Sequence, residues 1–295
     1  MLTGGYDGSN PLSSTVLYPE GGCSVPSMDV ARYDHVTFLT RDSTPRIATC
    51  GGYGGGFKKD CLVLQGGQWR RGQLDDLPDS RDSAASARVE EGIFLLGGSA
   101  YGGWNTPAPS SSVFLRANRR SWESGPELPV AMNWGPCAAP ITSHSFLIVH
   151  GTNVYEFDTR VAGPTNDAGW RPNENWPQLQ VSRFSPGCGV VKNKFIVAGG
   201  HDHFDSFKST DIIDLEKRTI SFGGEMEKPR RGFYLLPIGT VLYALGGFQY
   251  DGGFFYLADV EEFVEETGTW KPAKSLNGKR GSYGAVAVTR DLVCG

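Results

Sequence analysis

One short phrase returns through the chain at nearly even steps, and it restricts the fold more than any single residue does. Val241-Leu242-Tyr243-Ala244-Leu245 runs into Gly246-Gly247, Ile93-Phe94-Leu95-Leu96 into Gly97-Gly98, and Phe195-Ile196-Val197-Ala198 into Gly199-Gly200. A looser copy is Ile47-Ala48-Thr49-Cys50-Gly51-Gly52, and a degraded one is Phe146-Leu147-Ile148-Val149-His150-Gly151. Met1-Leu2-Thr3-Gly4-Gly5 reads as its trimmed beginning and Asp291-Leu292-Val293-Cys294-Gly295 as its trimmed end. A β-prone apolar run stopped by two glycines is a strand that ends where the backbone needs positive φ or a close neighbour. The first glycine position falls at 4, 51, 97, 150, 199 and 246, in steps of 47, 46, 53, 49 and 47. Even steps of this size mark a repeat architecture, in which each unit buries its faces against the next. The chain therefore divides into six units, about 4-50, 51-96, 97-149, 150-198, 199-245 and 246-295, expected to form one domain.

Each unit reads as four strands. Around Gly199 these are Gly187-Cys188-Gly189-Val190-Val191, Phe195 to Ala198, Asp211 to Leu215 and Thr219 to Phe222, separated by polar turns. The third strand recurs as Thr15 to Tyr18, Cys61 to Leu64, Ser112 to Leu115, Val154 to Phe157 and Val260 to Phe263. A tryptophan announces the fourth: Trp69, Trp122, Trp170 and Trp270, with Phe222 expected to substitute in one unit. A large ring at a fixed point of each unit is what packing one twisted sheet on the next requires, so these rings belong to the core. No segment has a convincing helical period.

The glycine pair after the second strand, the apolar third strand and the Trp at the fourth resemble the kelch repeat, over essentially the whole chain. The resemblance implies an all-β fold: a six-bladed kelch-type β-propeller of four-stranded antiparallel blades around a central channel. Residues 282–289 would then supply the inner strand of the blade to which the N-terminal segment gives outer strands, closing the ring and removing its open edges. Which terminus supplies the second strand of that blade stays open.

Charge excludes some partners. With 28 Lys+Arg against 32 Asp+Glu the net charge is −4, so nothing favours nucleic acid. No apolar run approaches the roughly 20 residues that span a bilayer. The chain begins inside the first unit, so no signal peptide is expected. The six cysteines lie far apart without a CxxC and read as reduced, buried small hydrophobes, although Cys50 and Cys61 flank one turn. No Asn-x-Ser/Thr acceptor occurs, and the expectation is a cytoplasmic, monomeric propeller.

Chemistry-bearing residues recur in two sets of loops. The inter-unit loops carry Arg32, Arg81, Arg183, Arg230 with Arg231, and Arg280; the loop at Asn133-Trp134 lacks one. The post-glycine loops carry Tyr6, Tyr53, Tyr101, Trp104, His201 to Phe207, and Phe248 to Tyr256 with Tyr250 among them. Guanidinium forks pair with carboxylates while rings supply rigid contact area. The arginines together with Tyr6, Tyr53, Tyr101, Trp104, Trp134, Phe184, Phe233 and Tyr250 are thus the expected partner-binding set. The alternative, that an arginine of this set binds backbone carbonyls of the next blade, stands beside it.

The function expected is protein interaction without catalysis: binding a short acidic peptide on the loop face, with no cofactor. Relatives of this kind select substrates for ubiquitin ligases, so that role is what the resemblance implies. One rival is a small-molecule or metal-dependent enzyme using His201 and His203, where His201-Asp202-His203 with Asp205 has ligand-like spacing. The other is a cytoskeletal scaffold that binds through blade sides. His35, His144 and His150 fall in or near strands and are expected to be satisfied internally. The copper and iron motifs of kelch-like enzymes, a Gly-x-Ser-x-Gly and a P-loop are all missing from the sequence.

Overall fold

The structure is a computed structural model and describes residues 1–21, 23–98, 111–132 and 134–294. Six antiparallel sheets, each built largely from consecutive strands, stand around a central channel as the blades of a β-propeller. From the channel outward, blade 1 is Val36–Leu39, Ile47–Cys50, Cys61–Gln65 and Gln68–Arg70. Blade 2 is Ala85–Val89, Gly92–Leu96, Ser112–Arg116 and Trp122–Ser124. Blade 4 is Gly187–Val191, Lys194–Ala198, Thr210–Asp214 and Thr219–Phe222. Blade 5 is Tyr234–Ile238, Val241–Leu245, Val260–Val264 and Thr269–Ala273, and it carries an extra hairpin of Phe248–Tyr250 and Phe254–Tyr256.

Two blades depart from four strands. Blade 3 has Cys137–Pro140, Ser145–His150 and Asn153–Asp158, and a single bridge from Phe157 to Trp170 stands where the outer strand would run. A short helix, Thr159–Ala162, capped by Asp158, and two 3-10 turns take up the chain there. The closing blade has Gly284–Ala285 inside, Leu2–Thr3 second and Thr15–Val16 third, with Leu2 paired to both Ala285 and Val16. The N-terminal segment therefore supplies the second strand. Residues 290–294 form a helix, Arg290–Cys294, rather than the trimmed strand expected of them. A run of five residues past the inner strand has no neighbour left to pair with once Met1–Thr3 occupies the second position.

The second strands of blades 2, 3 and 4 are buried on both faces, as their apolar runs require. The core consequently lies between blades: one cluster joins Phe38 and Val63 of blade 1 to Ile93, Leu95 and Leu115 of blade 2, and the pattern repeats around the ring. The tryptophans are structural. Trp69, Trp122 and Trp170 donate their indole N–H to the carbonyls of Pro26, Asp75 and Glu127, on the crossovers leading into their blades, at 2.9, 3.1 and 2.8 Å. Phe222 does not take the Trp position in blade 4. Ile220 does, facing Ile213 as Trp270 faces Phe263, while Phe222 lies two residues on and is 65% exposed.

The cysteine expectation is corrected. Disulfides join Cys50 to Cys61 across neighbouring strands of blade 1, Cys137 to Cys188 across the inner strands of blades 3 and 4, and Cys23 to Cys294 across the closure. Apolar strand context hid the pairing because partners lie 51 and 271 residues apart in two of the three.

Candidate functional site

The glycine pairs and the loop arginines are two halves of one inter-blade latch. The second glycine of a pair donates its N–H to the carbonyl of the arginine that leads into the next blade: Gly52 to Arg81, Gly200 to Arg230, Gly247 to Arg280 and Gly5 to Arg32, each at 2.8 Å. That arginine's guanidinium reaches into its own blade and donates to the carbonyl of the first glycine there. Arg32 binds Gly51 O at 3.1 Å, Arg183 binds Gly199 O at 2.8 Å and Arg230 binds Gly246 O at 2.9 Å. Arg81 and Arg280 bind Gly97 O and Gly4 O in the same way. A Cβ on the first glycine would sit 2.3–2.5 Å from the arginine carbonyl, so no other residue fits at such positions as Gly51 and Gly246.

The terminal nitrogens of these guanidiniums have further partners. Arg32 pairs with Asp60, Arg183 with Asp211 and Arg230 with Glu261; Arg81 and Arg280 take the hydroxyl and carbonyl of Ser111 and Ser14. All five arginines are 0–6% exposed. They are therefore not a ligand-facing ring, which corrects the partner-binding expectation for Arg32, Arg81, Arg183, Arg230 and Arg280. Met132, fully buried, fills the position in the one loop without arginine, and that loop leads into the blade whose glycine pair is degraded to His150-Gly151.

What faces the channel comes one and two residues after each latch position. The second residue is Asp34, Ser83, Trp134, Ser185, Gly232 or Ser282, and all six take left-handed backbone with φ between 48° and 59°. They form a hydrogen-bonded girdle: Ser83 N to Asp34 O at 2.7 Å, Asp34 N to Ser282 O at 2.6 Å, Ser282 N to Gly232 O at 2.8 Å, Gly232 N to Ser185 O at 3.3 Å and Ser185 N to Trp134 O at 3.0 Å. Asp, Ser and Gly tolerate this conformation, whereas a bulky ring such as Trp134 holds it at a cost of about 1 kcal/mol or more. Among the described residues the first residue after the latch is Tyr33, Asp82, Phe184, Arg231 or Gly281. Tyr33, Phe184, Arg231 and Gly281 bridge to the post-glycine residues Tyr53, His201, Phe248 and Tyr6.

These bridges build an aromatic collar. Phe248 stacks on Tyr256 at 5.0 Å, and contacts continue through Tyr6, Tyr33 and Tyr53 to Phe57 at 5.3–5.6 Å. Across the mouth Trp134 meets Phe184, His201 and His203, with centroids 5.5–6.4 Å apart. Collar and girdle enclose a cavity of about 840 Å³ that continues down the channel past Phe233, Tyr234 and Tyr283.

Arg231 faces this cavity, and where Arg230 donates to Gly246, Asp259 and Glu261, the Arg231 side chain has no hydrogen bond or ion pair among the described residues. It is 9% exposed, its guanidinium lies over Phe248 and Phe254 at 5.2 and 5.5 Å, and its Nε has no partner. Among the described residues no carboxylate stands within ion-pair distance of it. Desolvation lowers its pKa, as it does for any cation held away from water. Burial and the Arg231 charge hold His201 down to about 4, so its ring is neutral. Burial, and then Arg32, hold His35 at about 3, with its Nε2 2.9 Å from Thr3 Oγ1. Burial pushes the Asp34 carboxyl up to about 7, and the charge of Asp82 adds to the shift while the nearby Ser282 hydroxyl opposes it.

The structure thus brings together Tyr6, Tyr53, Trp134, Phe184, Arg231 and Tyr250 of the expected set around one mouth, and puts Phe233 beneath them in the channel wall. Tyr101 and Trp104 lie outside the described residues. Tyr33, Asp34, Asp82 and Phe254 were missed. The signal that finds three of them is phase: they fall one or two residues after an arginine that recurs with the repeat. His144 pairs with Glu91 at 2.7 Å at the surface, and His150 packs on Phe184. Among the described residues no three His, Cys, Asp or Glu side chains converge as metal ligands, and no helix is long and apolar enough to cross a membrane. Comparison with known protein families and with curated proteins finds no match to the chain.

Proposed function

We propose that the propeller is a protein-interaction module that takes a short acidic segment of a partner into the loop-face cavity, with a carboxylate on Arg231. The observation that carries this reading is Arg231 itself. A guanidinium nine-tenths buried, set against two rings and with no carboxylate at ion-pair distance among the described residues, costs stability that an incoming carboxylate repays. Phe204, Tyr250, Phe254 and Phe255, each 42–76% exposed, stand on the neighbouring loops as apolar anchors for the flanking residues.

The kelch resemblance agrees with interaction as the task. The ligase-adaptor version of it sits poorly with three disulfides, which persist in oxidising compartments. We therefore place the partner in such a compartment rather than in the cytoplasm. Selection from a random heptapeptide display library tests the proposal. Wild type should enrich sequences with an acidic residue beside an aromatic or aliphatic one, and the Arg231→Met variant should lose that enrichment. Equal enrichment by both proteins would remove Arg231 from the site and the proposal with it.

A further inference from the structure

The cavity carries opposite charges on opposite walls. Arg231 belongs to the fifth inter-blade loop, and Asp82, at the same position of the second loop, lies three blades away around a six-bladed ring, which is diametrically across the mouth. Asp34 precedes it by one blade in the girdle, close enough that the two carboxyls repel. Both acids line the same cavity as Arg231. Tyr33 and Tyr53 stand beside the acids with rings 5.5 Å apart, a surface on which an ammonium group rests well.

We infer that the ligand of this cavity is dipolar: a peptide segment whose carboxylate meets Arg231 and whose ammonium, from a lysine side chain or a free amino end, meets the Asp34–Asp82 wall between Tyr33 and Tyr53. This inference rests on the proposed carboxylate site. Arg231, the aromatic shelf and the acid pair then account for the three kinds of surface that the cavity exposes. The other titratable groups facing it are His35, His201, His203, Tyr33, Tyr53, Tyr234, Tyr250 and Tyr283. His35 and His201 stay neutral at pH 7, and burial raises the Tyr33, Tyr234 and Tyr283 hydroxyls, so none of these five supplies a competing charge. Because Asp34 titrates near neutrality, an ammonium arriving beside it displaces a proton.

The test is calorimetric titration of acetyl-Phe-Glu-(Gly)n-Lys-amide peptides, n from zero to three, with norleucine for Lys and Gln for Glu as controls. For the best spacer, norleucine should weaken binding to wild type about tenfold, or 1.4 kcal/mol. In the Asp34→Asn, Asp82→Asn double variant the Lys and norleucine peptides should differ by less than about threefold. Asn keeps the left-handed backbone at 34, and circular dichroism reports whether each variant is folded. At pH 7 the heat of Lys-peptide binding should change with the ionisation enthalpy of the buffer in wild type and not in Asp34→Asn. Equal affinities for Lys and norleucine peptides in wild type would overturn the dipolar ligand while leaving the Arg231 site intact. Indifference to Gln for Glu and to Arg231→Met would overturn both, as would failure of every spacer to bind.

Discussion

Arg230 and Arg231 are adjacent in sequence and opposite in role, and replacing each by Met separates the two roles by measurement. Arg230 is fully buried and donates to Gly246 O at 2.9 Å, to Asp259 O at 3.0 Å and to the Glu261 carboxylate, itself 3% exposed. Glu261 keeps one bond, from Glu227 N at 2.8 Å, when the guanidinium goes. Its charge is otherwise stranded, and stranding one member of a buried pair costs about 3–5 kcal/mol. At about 1.4 kcal/mol per factor of ten, the unfolded fraction should rise by two to three and a half orders of magnitude. Adding Glu261→Gln should recover part of the loss by removing the stranded charge. The Arg231 side chain makes no hydrogen bond and no ion pair among the described residues, so Arg231→Met should change stability by less than about 1 kcal/mol, in either direction. Urea denaturation followed by tryptophan fluorescence reads both, with the m-value as check that the denatured state is unchanged. If Arg231→Met costs as much as Arg230→Met, or Arg230→Met costs under about 1 kcal/mol, the division into latch and ligand arginines is wrong.

Three further outcomes follow from the same geometry. Non-reducing digestion should yield three cross-linked peptide pairs and no free thiol. Replacing Cys23 and Cys294 by Ser should lower stability by about 2–4 kcal/mol, since that bridge closes a loop spanning 271 residues. Gly199 and Gly239 share φ of 63°, but a Cβ at 199 would lie 2.4 Å from Arg230 O while one at 239 meets nothing within 4 Å. Gly239→Ala should therefore cost about 1–2 kcal/mol from backbone strain alone, and Gly199→Ala clearly more; equal losses in urea titrations would contradict the latch. His35 is neutral when folded because its pKa falls from the ordinary 6.5 to about 3. Its contribution is thus fully present above pH 6.5 and is lost as pH falls toward 3, by up to about 1.4 kcal/mol per unit. His35→Gln should flatten that acid limb of the stability profile. Asp34 has the opposite sign: its raised pKa makes stability fall as pH rises from about 4 to 7, so Asp34→Asn should be relatively more stable at pH 8 than at pH 4.

The sequence by itself determined the six repeat units, and the resemblance of their motifs to the kelch repeat implied the propeller. Apolar strand, glycine pair and outer ring recur at a period that the chain states directly, and neighbouring units can bury such strands on both faces only by standing side by side. It also located the two loop sets and most of the collar, because these too keep phase with the repeat. What it did not determine was the use of each arginine. Arg230 and Arg231 carry the same charge in the same loop, and only the fold shows that one points at Gly246 and Glu261 while the other points into open cavity. The disulfides escaped for the same reason, since Cys23 meets Cys294 and Cys137 meets Cys188 through closure and blade adjacency, not along the chain. Phe222 and Ile220 differ by two positions on one strand, and the register against Asp211 and Ile213 decided which ring or branch faced inward. Local pattern fixes elements because hydrogen bonding and burial repeat along the backbone. Partner choice among like side chains is settled across the channel, where residues hundreds of positions apart become neighbours.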